Sequence, residues 1–390
     1  MVAFATRVLM NPASVEQRPY LSIGVIAWNE EKAIGPMLQS LFSQSLFSTL
    51  ARRNLSCEVV CVANGCTDRT AAFAGEAFER QIRDHSSKYS FCCRVIELPE
   101  RGKLNAWNRF VHEISSRSAQ FLFLTDADIH FHQRDTLANM LDALETDREA
   151  NISVDQPRKD ISFKSRPQLR ERLSLRASEI TASSSAQLCA QLYCIRSEIA
   201  RNIYLPKDLP ACEDGFIKQV VCTDFLTREV VASRIRLAEA AEHTFEAYTS
   251  VLAIFRNQKR QIIGQTIVHM LVDDYLKELP LAQRAHLAET LKELDLTDPA
   301  WLKRLIGEHL RKTRFFWRLY PGLLTHRFKI LAQLRLRNRL HCLPAALGGT
   351  LVSLIACWMA FRTLKTGSTD YWPRAERQGL GSLVTIHQRT

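Results

Sequence analysis

Residues 21–45 read LSIGVIAWNEEKAIGPMLQSLFSQS. An Ile/Val-rich run over Leu21–Ala27 meets a polar Asn29-Glu30 pair, and Ile34, Leu38, Leu41 and Phe42 then follow at helical spacing. That pattern predicts a buried strand, a turn and a helix. It recurs in residues 57–84, CEVVCVANGCTDRTAAFAGEAFERQIRD, with a strand over Glu58–Ala63, a turn over Asn64–Asp68 and a helix from about Thr70. In residues 94–114, RVIELPERGKLNAWNRFVHEI, a strand stops before Pro99 and a helix starts after Gly102. Residues 121–131, FLFLTDADIHF, form an apolar strand ending in two carboxylates. Strands alternating with helices predict an α/β domain with a mostly parallel sheet, whose ligands bind beyond the carboxyl ends of the strands. Every polar cluster named so far falls at such an end.

Further along, residues 130–185 are polar and less periodic, which predicts connections and a helix around Arg134–Glu145. Gln187–Ile195 reads as another strand, and Leu205–Phe216 as a proline-marked loop that opens a helix. Beyond Ala247 the pattern is helical, including Leu281–Leu294 and the basic, aromatic Trp301–Tyr320. Leu343–Phe361 is a run of 19 residues without a charge. At 1.5 Å per residue it reaches roughly 28 Å, close to a bilayer's hydrocarbon core, so a transmembrane helix is expected, the alternative being a buried helix of a soluble domain. Flanking Arg337, Arg339, Arg362 and Lys365 favour the membrane.

The 390 residues carry 52 Lys+Arg against 41 Asp+Glu, a formal charge of +11, with 46% hydrophobic residues. Disordered, fibrous and disulfide mini-protein classes are excluded by that composition. The charge is unevenly placed. Trp301–His341 holds 11 basic residues and one acid, Glu308, whereas residues 1–300 carry about −2. Nucleic-acid binding is therefore not expected: the basic stretch adjoins an apolar span, and no recognised DNA- or RNA-binding motif is present. Eleven scattered cysteines without paired C-x2-C spacing read as reduced core thiols of a cytosolic domain rather than a zinc site or disulfide framework.

Two acidic clusters carry chemistry. Asp126-Ala127-Asp128 at a strand end has the spacing to hold a hard cation, Mg²⁺ or Mn²⁺, whose other ligands are phosphate oxygens. Glu213-Asp214 opens a helix, where a carboxylate serves either as general base on a hydroxyl or as a helix cap.

With these residues in view, the chain resembles family 2 glycosyltransferases of the GT-A fold. Ile26-Ala27-Trp28-Asn29-Glu30, Asn64-Gly65-Cys66-Thr67-Asp68-Arg69-Thr70, Gly102-Lys103 with Asn108, Asp126-Ala127-Asp128 and Glu213-Asp214-Gly215 occur in that family's order and approximate spacing, over roughly Tyr20 to Ala240. The resemblance implies a Rossmann-like, mixed but mostly parallel sheet and inverting transfer of a sugar from a nucleotide-diphosphate donor. Ala27, Asn29, Glu30, Asn64 and Asp68 would surround base and ribose, with Lys103 near the nucleotide. Asp126 and Asp128 would hold the metal, Arg260 with Arg256 would contact the diphosphate, and Asp214 beside Glu213 would be the base. The expected boundaries are an N-terminal extension at 1–19, the catalytic domain at 20–250, a basic helical region at 251–342, the transmembrane helix at 343–361 and a tail at 362–390.

The expected acceptor is a lipid-linked or cell-envelope glycan at an anionic membrane surface, with the catalytic domain cytoplasmic. Two departures bear on this. The second turn has Ala63-Asn64-Gly65-Cys66 where many relatives have Asp-Asp-Gly-Ser, and Asn257-Gln258-Lys259-Arg260-Gln261 keeps only the Arg of the Q-x-x-R-W motif. Single-sugar transfer is thus expected over processive synthesis, and a catalytically silent nucleotide-sugar-binding scaffold is the alternative from another class. For Trp28, Trp107, Tyr193, Arg196, His130 and His132, site-lining and structural roles both remain open.

Overall fold

The computed structural model describes residues 5–10, 18–85, 89–163, 187–209, 212–247, 250–313, 315–319, 322, 325–333 and 336–366. Most of the expected tail, Arg314, Arg335 and much of the 130–185 connection lie outside the described residues. Eight strands form one sheet: β1 Ala5–Met10, β2 Leu21–Ala27, β3 Cys57–Asn64, β4 Phe91–Leu98, β5 Phe121–Asp126, β6 Ile152–Lys159, β7 Leu192–Arg196 and β8 Ile235–Phe245. Their order is β1-β4-β3-β2-β5-β7-β6-β8. Four of the strands read from sequence, β4, β3, β2 and β5, run parallel side by side. β7 is antiparallel to β5 and to β6, and β8 is parallel to β6.

Alternation places successive side chains on opposite faces. Phe121 and Phe123 of β5 enter one core with Ile23 and Val25, whereas Leu122 and Leu124 enter the other. The helices α1 Ile34–Phe42, α2 Leu46–Arg52, α3 Thr70–His85 and α5 Thr136–Thr146 supply apolar side chains to the first core. Against the second pack α4 Lys103–Arg109, α6 Ser197–Arg201, α7 Glu213–Cys222 and α8 Val251–His269. The C-terminal helices follow: α9 Leu281–Ala285, α10 Leu287–Thr297, α11 Trp301–Lys312, α12 His326–Gln333 and α13 Leu336–Lys365. Trp301, Leu302, Ala356, Cys357 and Ala360 belong to the same core cluster as Leu122 and Leu124, so these helices share a continuous core with the sheet.

Several local expectations are corrected. The strand placed at Gln187–Ile195 spans only Leu192–Arg196, because residues 187–191 form a loop and turn that supply polar groups. The helix expected over Leu281–Leu294 breaks at His286 into α9 and α10. The 130–185 stretch, read as connections and one helix, also holds β6, and β1, within the expected N-terminal extension, adds an antiparallel edge to β4. The ten described cysteines are free, as expected, and burial pushes the thiols of Cys57, Cys61, Cys93 and Cys194 up.

Candidate active site

The parallel strands end together at Ala27, Asn64, Leu98 and Asp126, and the chain direction splits between β2 and β5, whose Ile26 and Asp126 are register partners. Such a switch point leaves a crevice beyond the strand ends. Asn64 is 2% exposed and ties three turns together: its Nδ2 donates to the Ala27 carbonyl (2.7 Å), and its Oδ1 accepts the Gly102 N–H (3.0 Å). Gly65 is required beside it, because φ is +60° and a Cβ there would sit 2.6 Å from the Arg101 backbone nitrogen.

The first turn is held by the second. Asn29 accepts the Thr67 N–H through Oδ1 (2.7 Å) and donates through Nδ2 to Thr67 Oγ1 (3.1 Å). The Glu30 N–H donates to Thr70 Oγ1 at 2.8 Å. Asp68 accepts the N–H of Glu31 in the first turn (3.2 Å) and that of Thr70 (3.0 Å), the latter an otherwise unpaired donor at the start of α3. Asn29, Asn64 and Asp68 therefore shape the crevice by fixing backbone. Trp28 lies under the Arg101 guanidinium, 3.6 Å from the ring centroid.

At the crevice floor Lys103, the first residue of α4, places Nζ 2.7 Å from Asp126 Oδ1 and 3.1 Å from Glu213 Oε1, and donates to the Ala190 carbonyl at 3.2 Å. The Glu213 contact is an ion pair rather than a well-directed hydrogen bond, and Glu213 is 2% exposed. Burial opposes the Lys103 charge, but the Asp126 and Glu213 carboxylates outweigh it and hold the ammonium above its ordinary range. Burial first, and the Glu213 carboxylate second, push the neighbouring Asp214 carboxyl up to about 6, against the Gly215 N–H, Lys103 and Arg260. Arg260, on α8, thus acts electrostatically on Asp214, and it donates to Asn257 Oδ1 at 3.0 Å.

Asp126 keeps 22% of its side chain exposed, and Asp128 is 9% exposed. Among the described residues no group of three or more His, Cys, Asp or Glu side chains is placed to hold a metal. These two carboxylates still fit a hard divalent ion of the kind bound by one or two carboxylates, with phosphate oxygens and water filling the remaining positions.

Four of the residues left open make contacts that fix the fold. Trp107 Nε1 donates to the Tyr193 hydroxyl at 2.5 Å, and both side chains are 1% exposed. Arg196 donates to the carbonyls of Ala150, Leu144 and Asp147 at the end of α5. His130 exchanges backbone hydrogen bonds with Thr244. Asn108, from the Gly102-Lys103 motif, clamps the Leu205 backbone through both amide atoms.

One network escaped sequence reasoning. His243 and Asp155, both fully buried, pair at 2.7 Å through Nδ1 and Oδ2. His243 Nε2 lies 3.4 Å from Gln191 Oε1, and the Gln191 carbonyl accepts the Asp126 N–H at 2.9 Å. The pair thus backs the strand end that presents Asp126. The only sequence signal was a lone Asp and a lone His in segments not read as strands.

The mixed sheet, with acidic residues beyond the carboxyl ends of its parallel strands, has the layout of an open α/β fold that binds its ligand at the switch point. Residues 22–197 match the family described as glycosyl transferase family 2. The chain is accordingly a glycosyltransferase. No curated protein matches it. Among solved structures it is similar to S. aureus TarS residues 1–349, at 16% identity and TM-score 0.41, over 89% of this chain and 92% of that one. It is also similar to glucosyl-3-phosphoglycerate synthase from Mycobacterium tuberculosis in complex with Mn²⁺, UDP-glucose and phosphoglyceric acid. That match has 16% identity and TM-score 0.41, over 65% of this chain and 80% of that one.

Proposed function

We propose that the protein is an inverting, non-processive glycosyltransferase. It moves a sugar from a nucleotide-diphosphate donor to a hydroxyl of a lipid-linked or cell-envelope glycan. The reaction runs at an anionic membrane surface, with the catalytic domain on the cytoplasmic side. The observation that carries this reading is the placement of Glu213 and Asp214 at the first turn of α7, joined through Lys103 to Asp126 at the end of β5, where burial and the Glu213 carboxylate push the Asp214 carboxyl up to about 6. A base with that value is largely ionised at neutral pH yet basic enough to take a hydroxyl proton.

In this mechanism the Asp214 carboxylate accepts the acceptor hydroxyl's proton as that oxygen attacks the anomeric carbon in line with the departing diphosphate. Asp126 and Asp128 would hold Mg²⁺ or Mn²⁺, which when bound supplies charge stabilisation to the leaving diphosphate. Lys103 pairs with Asp126 and Glu213 and orients them, and Arg260 adds positive potential over the crevice. Ala27, Asn29, Glu30, Asn64 and Asp68 form the rim on which the nucleoside lies, mainly through backbone groups, since the side chains of Asn29, Asn64 and Asp68 bond to neighbouring turns. Donor turnover by purified protein with either metal, abolished in Asp128→Ala and Asp214→Asn, tests the assignment. Undiminished turnover in both variants would overturn it.

A further inference from the structure

Helix α13 has two unlike faces. Ala346, Ser353, Ala356, Cys357, Ala360 and Leu364 are 0–8% exposed. This small-residue face packs α13 on α8 and α11, and the Cys357 thiol lies 3.2 Å from the Phe316 carbonyl. On the opposite side Leu343, Leu347, Leu351, Ile355 and Trp358 are 40–60% exposed. At 100° per residue these five positions share one face, and they extend roughly 22 Å along the axis. Only 28% of the apolar window Ala346–Lys365 is buried.

We propose that this row is a lipid-seated face and that α13 lies along the plane of an anionic membrane instead of crossing it. The proposal rests on the membrane-surface reading above and fixes its geometry. A crossing helix would carry its packed neighbours into the hydrocarbon. α8 contributes Arg256, Lys259 and Arg260, and α11 contributes Lys303, Arg304, Arg311 and Lys312. Charges placed at mid-bilayer are costly. Lying flat, α13 immerses only its apolar row and leaves the cations of α8 and α11 outside the hydrocarbon, on the side of the anionic surface. Trp317, 44% exposed, fits the interfacial level that aromatic rings favour. Arg362 sits 5.1 Å from the Trp358 ring at the end of the row, placed to reach back to the headgroups. Because α13 packs on α8, and α8 bears Arg260 beside Asp214, the crevice is held at a fixed height above the lipid.

Two measurements on the full chain test this. With tags at both termini, protease added to sealed inside-out membrane vesicles should remove both tags. Protection of the C-terminal tag alone would show a crossing helix and overturn the proposal. Flotation of purified protein should occur with phosphatidylcholine vesicles containing a third phosphatidylglycerol and fall sharply without the anionic lipid. Leu347→Glu with Leu351→Glu should weaken binding roughly tenfold or more while donor hydrolysis in solution stays unchanged. If the double variant instead dissociates a dimer and floats normally, the face is an interface between copies and the proposal fails. Absence of flotation with anionic vesicles would remove the membrane reading itself while leaving the transferase chemistry standing.

Discussion

Lys103 Nζ joins Asp126 at the end of β5 to Glu213 at the start of α7, at 2.7 and 3.1 Å. One ammonium thus couples the carboxylate assigned to the diphosphate side to the helix turn that carries the assigned base. Removing it leaves buried negative charge without a partner. Lys103→Met is expected to destabilise the fold by about 3–5 kcal/mol at pH 8. Urea midpoints of the two proteins check this, and an unchanged midpoint would contradict it.

The raised pKa of Asp214 fixes the sign of a second prediction. A carboxyl whose folded value, about 6, lies above its ordinary 3.8 favours folding fully below pH 3.8, and that contribution is lost as pH rises through 6. Ionised Asp214 therefore weakens the fold at neutral pH. Asp214→Asn should raise stability at pH 7.5 by on the order of 1–3 kcal/mol, give little gain at pH 4, and lose about 10²–10⁴-fold in transfer rate. Calorimetry beside a transfer assay separates this from a structural role, in which stability and activity would fall together.

The same value predicts that kcat, measured between pH 5 and 8 at saturating donor, falls about tenfold per unit below pH 6 and levels off above 7. A flat profile across that range would exclude Asp214 as the base.

Gly65 is a test of the crevice wall. Gly65→Ala combines a left-handed φ of +60° with a clash at the Arg101 backbone. It is expected to cost about 1–3 kcal/mol and to raise KM for the donor more than it lowers kcat, because the Asn64 bridge between turns shifts. Denaturation and steady-state kinetics report the two effects.

The four central strands were legible because each is a short apolar run closed by polar turn residues, a local property. β8 was not: Ala240 has φ +48° and the register shifts between Val154 and Gln156 of β6, so its burial does not alternate with period two. β1 escaped because only the distant edge of β4 makes it a strand. The acidic residues were legible by motif, but the Lys103 bridge and the His243–Asp155 pair join residues roughly 90–110 positions apart, and no local pattern encodes such a meeting. Residues expected to touch the nucleotide, Asn29, Asn64 and Asp68, have turn-fixing bonds that only the folded backbone reveals. In α13 the apolar span was readable, whereas its division into a packed small-residue face and an exposed row required the position of α8.

The most direct measurement is a donor screen by mass spectrometry. Full-length protein on anionic vesicles is given Mg²⁺ or Mn²⁺ and a panel of nucleotide sugars, with Asp214→Asn and Asp128→Ala run in parallel. The wild type is predicted to release nucleoside diphosphate from at least one donor and to transfer its sugar, with both variants silent. Equal release by wild type and both variants, or no turnover of any donor by the wild type, would contradict the account.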